Sequence, residues 1–176
     1  MYPAHRILHR AVGFFPDRPA FVDGETRLTY RELGARVHRL ANALTGLGLQ
    51  KGDRVAILDW NSQRYAEAYY ACALAGLTFM PLNSRLAAPE LQYIFNDSDA
   101  RALLLSEPFV GLYEEVKAKA PSLEISVGLN LSDPPDGVHD YETLLAAASD
   151  VAEPAPAGMD DIIQIYYTSG TTGDPK

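Results

Sequence analysis

The sequence predicts an α/β fold, a largely parallel sheet flanked by helices. Three observations carry that expectation. From residue 54 onward, short apolar runs of strand length alternate with helical patterns. The first of these runs, Arg54-Val55-Ala56-Ile57-Leu58, reads as a buried strand, as parallel strands covered on both faces do. The chain has 176 residues, 47% hydrophobic and 22% charged, enough to build one core and too apolar for a disordered polymer.

Taken in order, residues 3–15 place Ile7, Leu8, Ala11, Val12 and Phe15 on one helical stripe, closed by Pro16 and Pro19. Residues 20–23 and 27–29 read as a hairpin around Asp23-Gly24-Glu25. Thr29-Tyr30-Arg31-Glu32 is a capping box. The Thr29 hydroxyl accepts from the Glu32 amide while the Glu32 carboxylate reaches back to the Thr29 amide. Behind it, Leu33, Val37, Leu40, Ala41, Leu44 and Leu47 repeat at helical spacing, with Gly46 and Gly48 as the stop.

Then follow the strand 54–58, a helix capped by Asn61 or Ser62 and stopped at Gly76, and a strand over 78–82. A helix over 89–95 that Pro89 can begin comes next, then a strand over 101–105, a helix over 109–120 and a strand over 124–129. Residues 132–137 form a loop, Asp140 caps a short helix through Ala148, and residues 153–158 make a Pro-rich linker. Residues 162–167 read as a last strand. No internal repeat is present.

Composition narrows the function classes. A net charge of −8 gives little support to a nucleic-acid-binding face. One cysteine, Cys72, permits no intrachain disulfide and fits a reducing compartment. The amino terminus carries no apolar run behind a basic end, and no apolar stretch approaches the roughly 18–20 residues that span a bilayer. The expected location is the cytoplasm.

The most informative residues come last: Tyr167-Thr168-Ser169-Gly170-Thr171-Thr172-Gly173-Asp174-Pro175-Lys176. Gly170 and Gly173 allow tight turns and close approach of backbone to a ligand. Thr168, Ser169, Thr171 and Thr172 add hydroxyls and Lys176 adds a cation. Such a cluster at a strand end suits a polyphosphate. It is not a Walker A loop, because Asp174 and Pro175 separate Gly173 from the lysine. The bland alternative is a Ser/Thr/Gly turn with a solvated lysine, against which stands the whole ordered string after a strand.

The string closely resembles the phosphate-binding signature of the adenylate-forming superfamily, Tyr-Thr-Ser-Gly-Thr-Thr-Gly-x-Pro-Lys, at every fixed position. Leu28-Thr29-Tyr30-Arg31-Glu32-Leu33, residues 51–57, and Ala75-Gly76 followed by Pro81-Leu82-Asn83-Ser84-Arg85-Leu86 resemble the superfamily's earlier motifs in order. Asn83-Ser84-Arg85-Leu86 resembles the CoA-ligase version rather than that of amino-acid-activating domains. The likeness is least clear over residues 107–160.

The resemblance implies part of the large N-terminal domain of an adenylate-forming CoA ligase, with residues 1–176 as a partial domain, residues 168–176 as its phosphate loop, and the C-terminal domain absent. It implies ATP, Mg2+ and coenzyme A as cofactors and a carboxylic acid as substrate. Thr168, Ser169, Gly170, Thr171, Thr172, Gly173 and Lys176 would hold the β- and γ-phosphates, Thr168 would also help place Mg2+, and Arg85 would contact a CoA phosphate. The downstream motifs of such enzymes are absent, so these residues alone are expected neither to turn over nor to bind ATP tightly, and to self-associate through uncovered apolar surface. Fatty, aromatic and terpenoid acids all stay open as substrates. Two other readings stand beside this one: an adenylating enzyme with a different acceptor, and a non-catalytic structural or dimerisation module that keeps the sheet.

Other candidates weigh less. His5 and His9 are four apart on a helix but lack an acidic or cysteine partner, so a solvated face is expected. Tyr65, Tyr69 and Tyr70 are expected to pack, Cys72 to be an inert buried thiol, and Trp60 to line a pocket or pack.

Overall fold

The computed structural model describes residues 3–151 and 155–168, with Asp23 by its backbone alone. Its centre is a five-stranded sheet of β3 (Arg54–Leu58), β4 (Thr78–Pro81), β5 (Ala102–Leu105), β6 (Ile125–Gly128) and β7 (Val138–Asp140). The strand order is β4-β3-β5-β6-β7 and every pair is parallel. A separate antiparallel hairpin joins β1 (Pro19–Asp23) to β2 (Thr26–Thr29).

Parallel strands need covered crossovers, and the strand residues show why both faces are covered. Val55, Ile57, Ala102, Leu104, Ile125 and Val127 point into one apolar cluster, with Leu8 of α1 (Ala4–Phe14), Leu40 and Leu44 of α2 (Tyr30–Gly46), Ala68 and Cys72 of α3 (Gln63–Ala75), and Tyr141 and Leu145 of α6 (Tyr141–Ala147). The alternate residues Ala56, Leu58, Met80, Leu103 and Leu105 point the other way. They meet Leu91, Ile94 and Phe95 of α4 (Ala88–Ser98) and Tyr113 and Val116 of α5 (Val110–Val116). The continuous apolar runs thus serve two cores at once.

Local signals act as the sequence reads. The capping box at α2 forms, with Thr29 N donating to Glu32 Oε2 at 2.8 Å and Glu32 N to Thr29 Oγ1 at 3.2 Å. Ser62 caps α3, and Asp140 caps α6 through the Thr143 amide at 2.8 Å. Gly76 ends α3 in the left-handed region at φ 68°, and a methyl group there would lie 2.8 Å from the Ala155 carbonyl oxygen. Pro89 sits in the first turn of α4, where Glu90 accepts from the Ala87 amide at 2.8 Å.

Three expectations need correction, and one strand has no counterpart among them. On α1 the buried residues are Ala4 and Leu8, while Ile7 is exposed and Phe15 lies past the helix end at φ −137°, off its stripe. The helix expected over 109–120 is a short α5 flanked by 3-10 turns at Glu107–Phe109 and Lys117–Lys119. Strand β7 was invisible in the sequence. It has only three residues and pairs in parallel with β6, and in the connection Leu131 lies over Gly128, where a side chain would collide. Residues 162–167 form one isolated bridge, Gln164 to Phe79, rather than a strand; among the described residues no strand pairs their far side.

One polar device spans the first core. Glu67 of α3 is fully buried. It receives two bonds from Arg36 of α2, at 2.7 and 3.2 Å, and one from the Tyr141 hydroxyl of α6 at 2.6 Å. Arg36 also reaches both Glu142 oxygens, at 2.9 and 2.8 Å, and Arg64 reaches Glu142 at 3.3 Å. Burial, then the Glu67 charge, pushes the Tyr141 hydroxyl well above its usual range, so it stays a donor. The Arg36 hydrogen bond, against some desolvation, holds Glu142 below the ordinary carboxylate range.

Removing one member takes a partner from groups that stay wholly or partly buried. Glu67→Ala is expected to cost about 3–5 kcal/mol and Tyr141→Phe about 1–3 kcal/mol, both read from urea midpoints. Because the Glu142 pKa is lowered in the folded state, its contribution is complete above the ordinary glutamate range and disappears as the pH falls through the lowered value. Acidification is therefore expected to lower the wild-type midpoint more than that of Glu142→Gln.

Candidate functional site

The sheet's connectivity creates a switch point. From β3 the chain passes through α3, on one face, to β4, and then through α4, on the other face, to β5 on the far side of β3. The direction of winding reverses between β3 and β5, and open parallel sheets bind ligands at the carboxyl ends of strands around such a point.

Three loops meet there. After β3, the Asp59 carboxylate accepts from the Trp60 amide at 2.8 Å and the Ser62 hydroxyl at 2.7 Å, fixing the turn into α3. Trp60 stands 61% exposed with its ring 6.0 Å from that of Phe109. After β5, the Ser106 amide donates to Leu58 O at 3.2 Å, while its buried hydroxyl has no partner among the described residues. After β4, Asn83 Oδ1 accepts from the Arg85 amide at 3.0 Å and Asn83 O from the Leu86 amide at 3.1 Å. This leaves Arg85 exposed, with no ion pair among the described residues.

The carboxyl-terminal segment arrives at the same end along the outer edge of β4. Phe79 N donates to Ile163 O at 3.0 Å, Ile165 N to Phe79 O at 3.1 Å, and the Thr78 hydroxyl to Ile162 O at 2.9 Å. Ile165 and Tyr167 pack on the second core, and the Tyr167 hydroxyl donates to Asp97 Oδ2. Burial and then this carboxylate push the Tyr167 hydroxyl pKa up. Thr168 is exposed and shares the wall of a small cavity, about 30 Å3, with Asn83 and Leu86. The structure therefore brings Thr168 and the loop carrying Arg85, 83 positions apart in sequence (168 − 85), to one edge of the sheet. Ser169, Gly170, Thr171, Thr172, Gly173 and Lys176 lie outside the described residues. Sequence reasoning missed Asp97, whose only signal is spatial, and Ser106, a polar residue closing an apolar run.

Of the lesser candidates, the tyrosines pack as expected. Tyr65 and Tyr69 meet Phe79 edge to face, at 5.5 and 5.7 Å. His5, His9 and His38 line a cavity of about 530 Å3 between α1, α2 and α3, with His9 exposed as expected and His5 partly buried. Among the described residues no three His, Cys, Asp or Glu side chains form a metal-binding group. Burial, then Arg6 and His9, lowers the His5 pKa. Among those residues, too, no helix is long and apolar enough to cross a membrane.

The model of the family described as AMP-binding enzyme matches residues 8–176. Over 180 residues the chain is 39% identical to the long-chain-fatty-acid–CoA ligase FadD13 of Mycobacterium tuberculosis, covering 97% of this chain and 33% of that protein. It is 41% identical over 161 residues to a feruloyl-CoA synthase of Amycolatopsis sp, covering 92% and 30%. A crystal structure of the anthranilate CoA ligase AuaEII in complex with anthranoyl-AMP superposes with a TM-score of 0.94 at 28% identity, covering 99% of this chain and 33% of that one. The chain spans about a third of the length of these relatives.

Cys72 is fully buried and its thiol pKa is pushed up by burial alone. A thiol-disulfide reagent is expected to leave the native protein unmodified at pH 8 and to titrate one thiol after denaturation.

Proposed function

This chain belongs to the AMP-binding enzyme family, and from that premise we propose that it is the front part of an ATP-dependent carboxylic acid–CoA ligase. In that reaction a carboxylate attacks the α-phosphate of ATP, releasing pyrophosphate and giving an acyl-adenylate. The CoA thiolate then displaces AMP to leave the thioester. Residues 1–176 would form part of the N-terminal domain, with residues 168–176 as its phosphate loop. The observation that carries the reading is the position of Thr168. The Tyr167–Lys176 string begins at the carboxyl edge of a parallel sheet, beside the Asn83–Arg85 loop.

The chemistry of the donors supports a polyphosphate guest. The hydroxyls of Thr168, Ser169, Thr171 and Thr172, the amides around Gly170 and Gly173, and the Lys176 ammonium would offset charge on the β- and γ-phosphates as pyrophosphate leaves. Such donors matter most where charge develops in the transition state. Mg2+ would neutralise further phosphate charge, and the Thr168 hydroxyl is the residue proposed to help hold it. Arg85, exposed at the same edge with no ion pair among the described residues, is proposed to contact a phosphate of CoA, since guanidinium matches phosphate geometry. A cytoplasmic location accords with these substrates.

The exposed side chains Trp60, Ile162 and Tyr166, at 61%, 66% and 62% accessibility, support the proposal that residues 1–176 in isolation self-associate. Light scattering is expected to show particles larger than a monomer that grow with concentration.

The deciding experiment follows pyrophosphate release and acyl-CoA formation by the complete gene product with ATP, Mg2+, CoA and a panel of carboxylic acids. Lys176→Ala is expected to lower turnover roughly a hundredfold, and Arg85→Ala to raise the CoA KM about tenfold with adenylation unchanged. Adenylation without CoA consumption would point to another acceptor, and a folded protein that adenylates no acid would point to a structural module.

A further inference from the structure

Tyr167 is the last side chain before the Ser/Thr/Gly string, and it is held from two sides. Its ring is half-buried against the second core, and its hydroxyl donates to Asp97 Oδ2 at 2.5 Å. Because burial, followed by the Asp97 carboxylate, raises its pKa, the tyrosine keeps its proton and remains a donor throughout the ordinary working range.

Asp97 is a poor choice for its own helix. It lies in the last turn of α4, which holds no basic residue. The helix dipole disfavours an anion at that end. Asp97 is itself exposed, and among the described residues its hydrogen-bond donor is Tyr167, 70 positions away. The ground beneath it is firm. Arg54 of β3 donates from Nε to Ser98 O at 2.6 Å and from Nη2 to Asp99 O at 2.9 Å, and Asn96 Nδ2 donates to Lys119 O at 3.2 Å. The end of α4 is thus tied to the central strand and to the turn after α5. An acidic residue set against its local electrostatics on a rigid platform has its compensation in the contact it makes.

We propose that Asp97 is a positioning residue for ATP: through the Tyr167 hydroxyl it fixes where the chain leaves the sheet edge for the phosphate-binding string. The proposal rests on the ATP-binding reading above. Asp97 touches no reacting atom in this scheme. It acts by limiting the freedom of the residue preceding Thr168, so that less of the ordering cost falls on nucleotide binding.

The test uses the complete gene product as wild type, Tyr167→Phe, Asp97→Ala, the double variant and the conservative Asp97→Asn, which keeps an acceptor. Binding of ATP and of pyrophosphate, each with Mg2+, is measured by calorimetry beside the KM values for ATP, acid and CoA and the thermal midpoint. Tyr167→Phe and Asp97→Ala are each expected to weaken ATP and pyrophosphate binding about tenfold and to raise the ATP KM alike. The acid KM and the thermal midpoint should stay near wild type, the double variant should be no worse than either single one, and Asp97→Asn should recover most of the loss. Nucleotide affinity within twofold of wild type in both single variants overturns the proposal. So does a loss that follows a fall in the thermal midpoint, or one that is additive in the double variant. A wild-type protein that binds neither ATP nor pyrophosphate sinks the ATP-binding reading itself, a result separate from variants that merely match an ATP-binding wild type.

Discussion

A parallel sheet cannot be built from hairpins, and most of this structure follows from that constraint. Each strand must be brought back by a crossover, the crossovers cover both faces, and all the strands end on the same side. In β3 the consequence is written into successive residues. Val55 and Ile57 serve one core and Ala56 and Leu58 the other. The same alternation recurs in β5, where Ala102 and Leu104 oppose Leu103 and Leu105. The polar chemistry is displaced to the carboxyl edge, where loops after β3, β4 and β5 turn outward beside one another.

The two cores are held differently. The core under α4 and α5 is almost wholly apolar and gains its stability from area removed from water. The one under α2, α3 and α6 contains a buried carboxylate, which has no favourable place in such a layer unless it is fully bonded. Glu67 meets that condition through Arg36 and Tyr141, while Arg36 and Arg64 lie 5.9 Å from the Tyr141 ring centre. The network joins three helices that are distant in sequence. It ties the short α6, whose seven residues would be marginal alone, to the long α2. A network that works only when every member is present also defines how these helices sit, in a way that a greasy contact does not.

At the site, the residues divide by what they do to the backbone and what they offer to a guest. Asp59, Asn83 and the Phe79 bridge shape the loops; their polar atoms are spent on amides and hydroxyls of this chain. Arg85 and Trp60 stand outward instead. That separation is what a binding edge requires, because a side chain that already has its partners has little left for a ligand. It also distinguishes the strand-end loops from the histidine-lined cavity by α1, which belongs to the packing of three helices and lacks a metal-binding group among the described residues.

Much of this was legible in the chain itself. The α/β class, the buried strands at 54–58 and 101–105, the Thr29–Glu32 box, the Ser62 and Asp140 caps and the Gly76 stop all depend on neighbours within about four residues, or on a strand's own burial. The string that resembles a phosphate-binding signature is likewise contiguous, which is why family membership could be anticipated from residues 167–176. Local pattern failed where distant partners decide. Residues 162–167 have strand composition yet form one bridge, because pairing needs neighbours on both sides and β4 supplies one. β7 is a three-residue strand defined by its pairing with β6, ten or more positions earlier in the chain. Nothing within four residues of Glu67, Asp97 or Ser106 foretells a carboxylate buried against the Arg36 guanidinium of α2 and the Tyr141 hydroxyl of α6, a tyrosine clamp or an orphaned hydroxyl at a strand end. Sequence by itself determined the elements and the chemical character of the carboxyl-terminal string, since propensity, capping and motif are short-range. Only the tertiary structure decided which polar groups meet, because the order β4-β3-β5-β6-β7 and the helices that join its strands set side by side residues that the chain keeps as much as 111 positions apart.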